Sequence, residues 1–187
     1  MSKDLKLNLG CGNNHIQGYI NVDKYGNPDI KHDLETFPWP WQESSASVIQ
    51  LNHVLEHLGQ NTDIYLGIIK EMYRICSDQA LIHIAVPHPR HDDFINDPTH
   101  VRAITPESMS LFSKRNNREW GKHGYANSPL GLFLDVDFEI VNVDQGLDPA
   151  WAQKLANNEI TEDDIDIARR KYNNIIKEIR MVLRAFK

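Results

Sequence analysis

The residues best suited to chemistry near the N-terminus are two glycines and two acids that follow short apolar runs. Gly10 and Gly12 close the run Leu5 to Leu9, and glycine lets a backbone adopt positive φ values and approach a ligand closely. Asp23 and Asp33 each end a further strand candidate, where an acid can accept hydrogen bonds from ribose hydroxyls. The pattern predicts a nucleoside site, although either acid alone is equally typical of a turn.

The turn after the second glycine is too short for the helix that a dinucleotide usually requires. His15 replaces the third glycine of the G-x-G-x-x-G pattern, and only six residues, Asn13 to Gly18, separate Gly12 from the next strand candidate. A pyrophosphate normally binds at the N-terminus of a full helix. A ligand without phosphates does not need that dipole, and two acids suit a cationic nucleoside better than an anionic one. The sequence therefore disfavours a nicotinamide-dependent oxidoreductase.

Nine histidines in 187 residues raise the questions of a general base and of a metal site. A histidine with a near-neutral pKa can take a proton from an attacking hydroxyl or amine. We expect His100 first and His53 second in that role, with a loop-bracing His100 as the plain alternative. His57, which follows Glu56, is expected to be a buried structural residue. The His- and Asp-rich loop after the fifth strand candidate could hold a divalent ion, but its spacings match no common template, so no metal site is predicted.

Strands and helices that alternate along the chain must position these residues. Apolar runs predict strands at residues 5–9, 19–22, 29–33, 47–51, 80–86 and 138–143. Helical spacing of apolar residues predicts a helix from Asp63 that ends by Ser77, and Thr105 and Thr161 are expected to cap two later helices. Residues 178–186 favour a last strand over a continued helix. The alternation predicts an α/β layered fold.

Two irregular stretches interrupt the pattern. Residues 37–41, FPWPW, form an aromatic loop because each proline lacks an amide donor. Its rings either border a bound cation or close the edge of the core. Residues 88–125 are predicted to be an insertion over the active face, since long loops in compact domains tend to be functional or disordered. We expect a single domain, residues 1–187, that carries this insertion.

Composition argues against several classes of protein. The formal net charge is -6 and the pI is about 5.8, which disfavours generic nucleic-acid binding. No window approaches the roughly 18 apolar residues of a membrane helix, and the mean hydropathy is -0.50. The two cysteines lack CxxC spacing, and no leader pattern is evident. A cytoplasmic protein without a membrane segment is therefore expected.

The ordered motifs of residues 5–112 resemble those of the class I S-adenosylmethionine-dependent methyltransferases, in particular a compact branch with a shortened first helix. They are LNLGCG, INVD, HDLETFPWPW, SVIQLNHVLEHL, IIKEMYRI, LIHIAVPH and DPTHVRAITPESM. The resemblance implies a Rossmann-like α/β/α sandwich, with a seven-stranded, mostly parallel sheet, helices on both faces and one antiparallel strand near the C-terminus. The chain departs from the family at residues 77–79, where a Pro-Gly-Gly turn is usual.

The resemblance also implies a ligand and a reaction. The implied cofactor is S-adenosyl-L-methionine, with S-adenosyl-L-homocysteine as its product. The glycine turn would approach the methionine part, the first acid the ribose, and the second acid with its neighbour the adenine. The implied cofactor-binding residues are Leu9, Gly10, Cys11, Gly12, Asp23, Asp33, Leu34, Asn52 and His53. The acceptor is expected to be an O or N atom of a small molecule or glycan, methylated by a monomer or homodimer, and a non-catalytic binding module stays the alternative.

Overall fold

The computed structural model describes residues 4–187, which build one seven-stranded sheet. The strands are β1 Leu5–Leu9, β2 Ile20–Asp23, β3 Ile30–Lys31, β4 Ala46–Asn52, β5 Cys76–Pro87, β6 Phe138–Leu147 and β7 Ile176–Ala185. Their spatial order is β3-β2-β1-β4-β5-β7-β6. Strands β1 to β5 pair in parallel, whereas β7 is antiparallel to both β5 and β6. The predicted Rossmann-like, mostly parallel α/β fold is confirmed.

The helices occupy the connections, and all but the fifth follow a residue whose side chain caps the helix. They are α1 Thr62–Ile75, α2 Asp92–Ile95, α3 Pro106–Ser110, α4 Lys114–Lys122, α5 Leu130–Leu134, α6 Pro149–Ala156 and α7 Glu162–Lys171. Thr105 and Thr161 cap α3 and α7, as predicted, and each also forms a capping box. A single turn of 3-10 helix, Leu55–His57, follows β4. Within residues 4–187, no helix is both long and apolar enough to cross a bilayer.

The two faces of the central strands differ in polarity. One face carries apolar residues that neighbour one another in register and are fully buried in the core with α1: Leu7, Ile49, Ile82 and Leu183. On the opposite face Asn8, Gln50 and His83 lie side by side, and the last two are only half-buried. Such alternation is typical of strands with one core face and one solvated face.

The largest differences from the predicted elements lie in the last three strands. β5 begins at Cys76 rather than at residue 80, and Gln79 adopts a φ of 64° inside it. This non-glycine residue therefore takes the left-handed conformation that the usual glycine turn would supply. β6 extends to Leu147 through a polar stretch, because β7 supplies a hydrogen-bonding partner along its whole length.

The aromatic loop closes the edge of the core. Trp39 and Trp41 are buried members of the main hydrophobic cluster, and their rings meet edge to face with centroids 6.2 Å apart. The indole nitrogen of Trp39 donates to the carbonyl of Leu34 at 3.0 Å. Of the two roles open from the sequence, the structure favours the packing role.

Candidate functional site

The strand order reverses beside β1, so the carboxyl ends of β1 and β4 frame a crevice. Ligands of open parallel sheets bind at such a switch point. Gly10 follows β1 and His53 lies just after β4, and both residues line two adjoining cavities there. The smaller cavity, about 220 Å³, also contacts Asp23 and Asp33. The larger cavity, about 480 Å³, also contacts Gly12.

The structure brings together nearly all the residues implied to bind a cofactor. Those that line one or both cavities are Gly10, Cys11, Gly12, Asp23, Asp33, Leu34, Asn52 and His53. Leu9 does not, because its side chain points to the core face in register with Leu51 and is 0% exposed. The cavities therefore form around strand ends that are distant in sequence but share one edge of the sheet.

The two turn glycines are needed for different reasons. Both have positive φ, 67° at Gly10 and 51° at Gly12. A Cβ at Gly10 would lie 2.5 Å from a methyl carbon of Val54, so tight packing beneath the turn excludes any side chain. A Cβ at Gly12 would meet nothing within 4 Å, so this backbone stands open towards the larger cavity. Gly12 thus offers the close backbone approach that the sequence predicted.

Buried amide side chains hold the short turn in place of a helix. Asn8 Nδ2 donates to Asn21 Oδ1 at 2.9 Å and to the carbonyl of Asn14 at 2.8 Å. Asn21 Oδ1 also accepts from the amide of Ile16 at 2.8 Å. Hydrogen bonds from Asn21, its backbone amide first, lower the pKa of Asp29. The carbonyl of Asn14 and the amide of Ile16 are thereby satisfied without helical hydrogen bonds.

Asp23 acts as a turn residue and also lines the smaller cavity. Its Oδ2 accepts from the amide of Gly12 at 2.9 Å, and its Oδ1 accepts from the amide of Tyr25 at 2.8 Å. A carboxylate has about four lone-pair sites, so both oxygens retain capacity for a ligand. Asp23 can therefore serve both as a turn residue and as a ligand-binding acid, the two roles that the sequence left open.

Asp33 and Leu34 form the far wall of the smaller cavity. Asp33 Oδ1 accepts from the amide of Glu35 at 3.1 Å, and its Oδ2 lies 3.5 Å from Lys24 Nζ. The Leu34 carbonyl is held by Trp39, as described above. Lys24, which the sequence analysis did not select, also lines this cavity and partly offsets the negative charge of the two acids.

His53 is held in an unusual conformation between two carboxylates. Its φ is 54°, in a region that non-glycine residues seldom adopt and that often marks functional sites. Its Nε2 lies 2.9 Å from Glu178 Oε1, and its Nδ1 lies 3.4 Å from Glu56 Oε1. The interactions with Glu56 first and Glu178 second raise the pKa of His53, although partial burial opposes them. Glu178 is in turn ion-paired with Arg180.

His100 lines neither cavity. Its side chain is 8% exposed, and its Nδ1 lies 2.9 Å from the carbonyl oxygen of Phe94. The ring stacks against Phe94 and lies 4.6 Å, centroid to centroid, from the ring of His57. His57 is half-buried rather than buried, and it lines the smaller cavity. The bracing role that the sequence left open for His100 is thus visible in the structure.

Comparison with known proteins identifies the fold. No family model and no curated protein matches the chain, but solved structures match over almost its entire length. A SAM-dependent methyltransferase from Archaeoglobus fulgidus is 17% identical with a TM-score of 0.59, over 97% of this chain and 86% of that one. A putative S-adenosylmethionine-dependent methyltransferase from Listeria monocytogenes is 12% identical with a TM-score of 0.54, over 100% and 92%.

A third similar structure carries a ligand. It is the 1,6-didemethyltoxoflavin-N1-methyltransferase of Burkholderia thailandensis, with bound 1,6-didemethyltoxoflavin and S-adenosylhomocysteine. It is 12% identical with a TM-score of 0.52, and the match covers 98% of this chain and 71% of that one. Together with the strand order, these similarities show that the chain has the class I S-adenosylmethionine-dependent methyltransferase fold. At such identities they establish the fold alone.

Proposed function

We propose that the protein is a methyltransferase that uses S-adenosyl-L-methionine. The observation that carries the proposal is the pair of cavities at the switch point, which share Gly10 and His53. One contains two acids and the other an open glycine backbone. A nucleoside and its polar tail need such adjoining sites, and a protein of the same fold binds S-adenosylhomocysteine.

The residues around the cavities fit the parts of this cofactor. Asp23 would accept hydrogen bonds from the ribose hydroxyls, and Asp33 with Leu34 would border the adenine in the smaller cavity. The methionine part would lie along the turn from Gly10 to Gly12, beside Cys11 and Asn52. When bound, the cofactor supplies a methyl group on a positively charged sulfur, which the neighbouring acids favour electrostatically.

His53 is the better placed of the two predicted general bases. Its imidazole is 46% exposed and borders both cavities, so an acceptor beside the bound cofactor would lie within its reach. Glu178 contacts the ring at 2.9 Å, and both Glu56 and Glu178 raise its pKa, which makes the deprotonated ring a stronger base. His100, which we expected first from the sequence, contacts neither cavity. We therefore assign proton removal to His53.

The acceptor is proposed to be an O or N atom of a small molecule or glycan. It would enter beneath residues 88–125, which approach the site where the amides of Val101 and Arg102 donate to the carbonyl of Glu56 at 2.9 and 3.2 Å. The acidic net charge of -6 argues against nucleic acid as the acceptor. A single cytoplasmic domain, monomeric or dimeric, completes the proposal.

A non-catalytic binding module is the second candidate. The two carboxylates beside His53 favour it, because a raised pKa keeps the imidazole protonated to higher pH and unable to accept a proton. The two candidates share the cofactor site and differ only in turnover.

Labelled methyl transfer separates the two candidates. Wild-type protein, His53→Ala and the exposed control His123→Ala should be incubated with methyl-labelled cofactor and a panel of small-molecule and glycan acceptors. We expect transfer by the wild type and the control, and a loss of about 10²- to 10⁴-fold in His53→Ala. Binding of S-adenosylhomocysteine without transfer to any acceptor would favour the module. The proposal would be contradicted if the protein neither bound S-adenosylhomocysteine nor transferred a methyl group.

A further inference from the structure

Three side chains that could ligate one metal ion converge beside the smaller cavity. Glu56, His57 and His100 each contribute a ligand atom, and these atoms lie within 4.8 Å of one another. The 3-10 turn after β4 supplies the first two residues. The third arrives from the 88–125 segment, which the amides of Val101 and Arg102 fix to the carbonyl of Glu56. The cluster is therefore held by backbone hydrogen bonds from two separate parts of the chain.

The carboxylate of Glu56 lacks the partners that a buried charge needs. The residue is 0% exposed, and among residues 4–187 neither carboxylate oxygen has a hydrogen-bond partner. The contact with His53 Nδ1, at 3.4 Å, is an ion-pair distance rather than a hydrogen bond. Burying a carboxylate without hydrogen bonds is costly unless a cation compensates it. Glu56 thus has an ion-pair contact with His53 but no hydrogen bond, and its carboxylate offers a ligand atom to the cluster.

Hydrogen bonds around the two imidazoles fix which ring nitrogen is free. The Thr99 hydroxyl donates its only proton to Asp97 at 2.6 Å, so Thr99 Oγ1 must accept from Nδ1 of His57, 2.9 Å away. Nδ1 of His100 likewise donates to the carbonyl of Phe94 at 2.9 Å. In a neutral ring, Nε2 is therefore the unprotonated nitrogen of each, and Nε2 of His100 also lies 3.7 Å from Asp97 Oδ2. Metal-binding histidines are typically oriented in this way by a hydrogen bond from their other nitrogen.

We propose that Glu56, His57 and His100 bind one divalent transition-metal ion, through a carboxylate oxygen and two Nε2 atoms. Two imidazoles and a carboxylate are a ligand set suited to zinc and related ions, and three protein ligands leave a position open. Bonds of about 2.0 to 2.2 Å separate ligand atoms by roughly 3 to 3.5 Å, so binding draws the cluster closer together. Because His57 also lines the smaller cavity, the cluster borders the proposed cofactor site.

The linear spacing of the histidines predicted no metal site, and the proposal departs from that expectation. The expectation came from motif templates, whereas this ligand set combines two residues of the 3-10 turn with a histidine from a distant loop. The site is defined by metal binding alone. It can be tested without cofactor or acceptor, so its failure and that of methyl transfer are distinguishable.

Metal titration of the full chain tests the site. The chelator-treated protein is titrated with Zn²⁺ by calorimetry and with Co²⁺ by visible absorption, which reports nitrogen coordination. We expect one ion per chain, unchanged binding in His123→Ala, and at least about tenfold weaker binding in His100→Ala and in Glu56→Gln. Circular dichroism checks the folding of each variant. Should His100→Ala fail to fold, Glu56→Gln, which keeps the shape of the buried side chain, gives the result.

The hydrogen bond between Thr99 and Nδ1 of His57 allows a more specific test in the same titration. Thr99→Val removes the acceptor for Nδ1 of His57, while Thr99→Ser keeps it. Loss of such an orienting partner typically weakens metal binding by about 10- to 100-fold, so we expect that loss in Thr99→Val but not in Thr99→Ser. No bound ion, or binding that is unchanged in both His100→Ala and Glu56→Gln, would overturn the proposal.

Discussion

The two sides of the crevice differ in how far apart in the sequence their residues lie. The nucleoside side uses Gly12, Asp23 and Asp33, which lie at or just after the ends of β1, β2 and β3, within the first 33 residues. The histidine side joins His53 to Glu178, which are 125 residues apart. The comparison teaches that parallel strands bring their own carboxyl ends together, whereas the environment of a side chain at that edge depends on elements added much later.

The largest expected effect is on the histidine side. If His53 accepts the proton of the acceptor, His53→Ala should lower kcat by about 10²- to 10⁴-fold while S-adenosylhomocysteine affinity stays near the wild-type value. Steady-state kinetics and calorimetry on the same preparations provide both readouts. An equal loss of cofactor affinity in His53→Ala would contradict the assignment of His53 to proton removal alone.

Asp23→Ala should produce the complementary pattern on the nucleoside side. The variant loses charged hydrogen bonds to the ribose, so we expect S-adenosylhomocysteine to bind about 1 to 3 kcal/mol more weakly. Because Asp23 also accepts from the amides of Gly12 and Tyr25, thermal unfolding must show that the variant is folded at the assay temperature. Unchanged affinity in a folded variant would remove Asp23 from the site.

The amide network predicts a stability effect confined to the nucleoside side. Asn21→Ala leaves the side chain of Asn8 and the amide of Ile16 without their acceptor, which should lower the free energy of unfolding by about 1 to 3 kcal/mol. Urea unfolding measures the change. The exposed Asn142→Ala on β6 is the control, with an expected change within about 0.5 kcal/mol. Equal effects at both positions would show that the network does not stabilise the turn.

The smallest predicted effect is a shift in pH dependence. Glu178 helps to raise the pKa of His53, and a base must be deprotonated to work, so activity should rise as pH passes through that raised pKa. Glu178→Gln removes one of the two negative charges, and the ascending limb of the pH–rate profile should move to lower pH. Asp144→Asn, which alters an exposed partner of Arg180 instead, should leave the limb in place.

The features that could be predicted are those specified by residues close to them in the sequence. Alternating apolar residues around Met181 predicted β7, and Thr105 and Thr161 predicted helix starts, because these signals lie within a few residues of the structure they specify. The same holds for the nucleoside side.

Features that depend on residues distant in the sequence could not be predicted from it. Leu9 is buried on the core face rather than at the site, because β4 packs beside it in register. His100 faces His57 and Phe94 rather than a cavity, because the insertion folds against the 3-10 turn. Glu178 reaches His53 because β7 pairs antiparallel with β5, and no local sequence pattern indicates that contact.

Calorimetric titration with S-adenosylhomocysteine tests most directly whether the short turn and its acids form a nucleoside site. The wild type, Asp23→Ala and His53→Ala are compared, with NAD as the competing adenine ligand. We predict saturable binding to the wild type and to His53→Ala, weaker binding to Asp23→Ala, and weaker binding of NAD because no helix follows the turn to receive its pyrophosphate. Tight binding of NAD by a folded protein that gives no heat with S-adenosylhomocysteine would contradict the account.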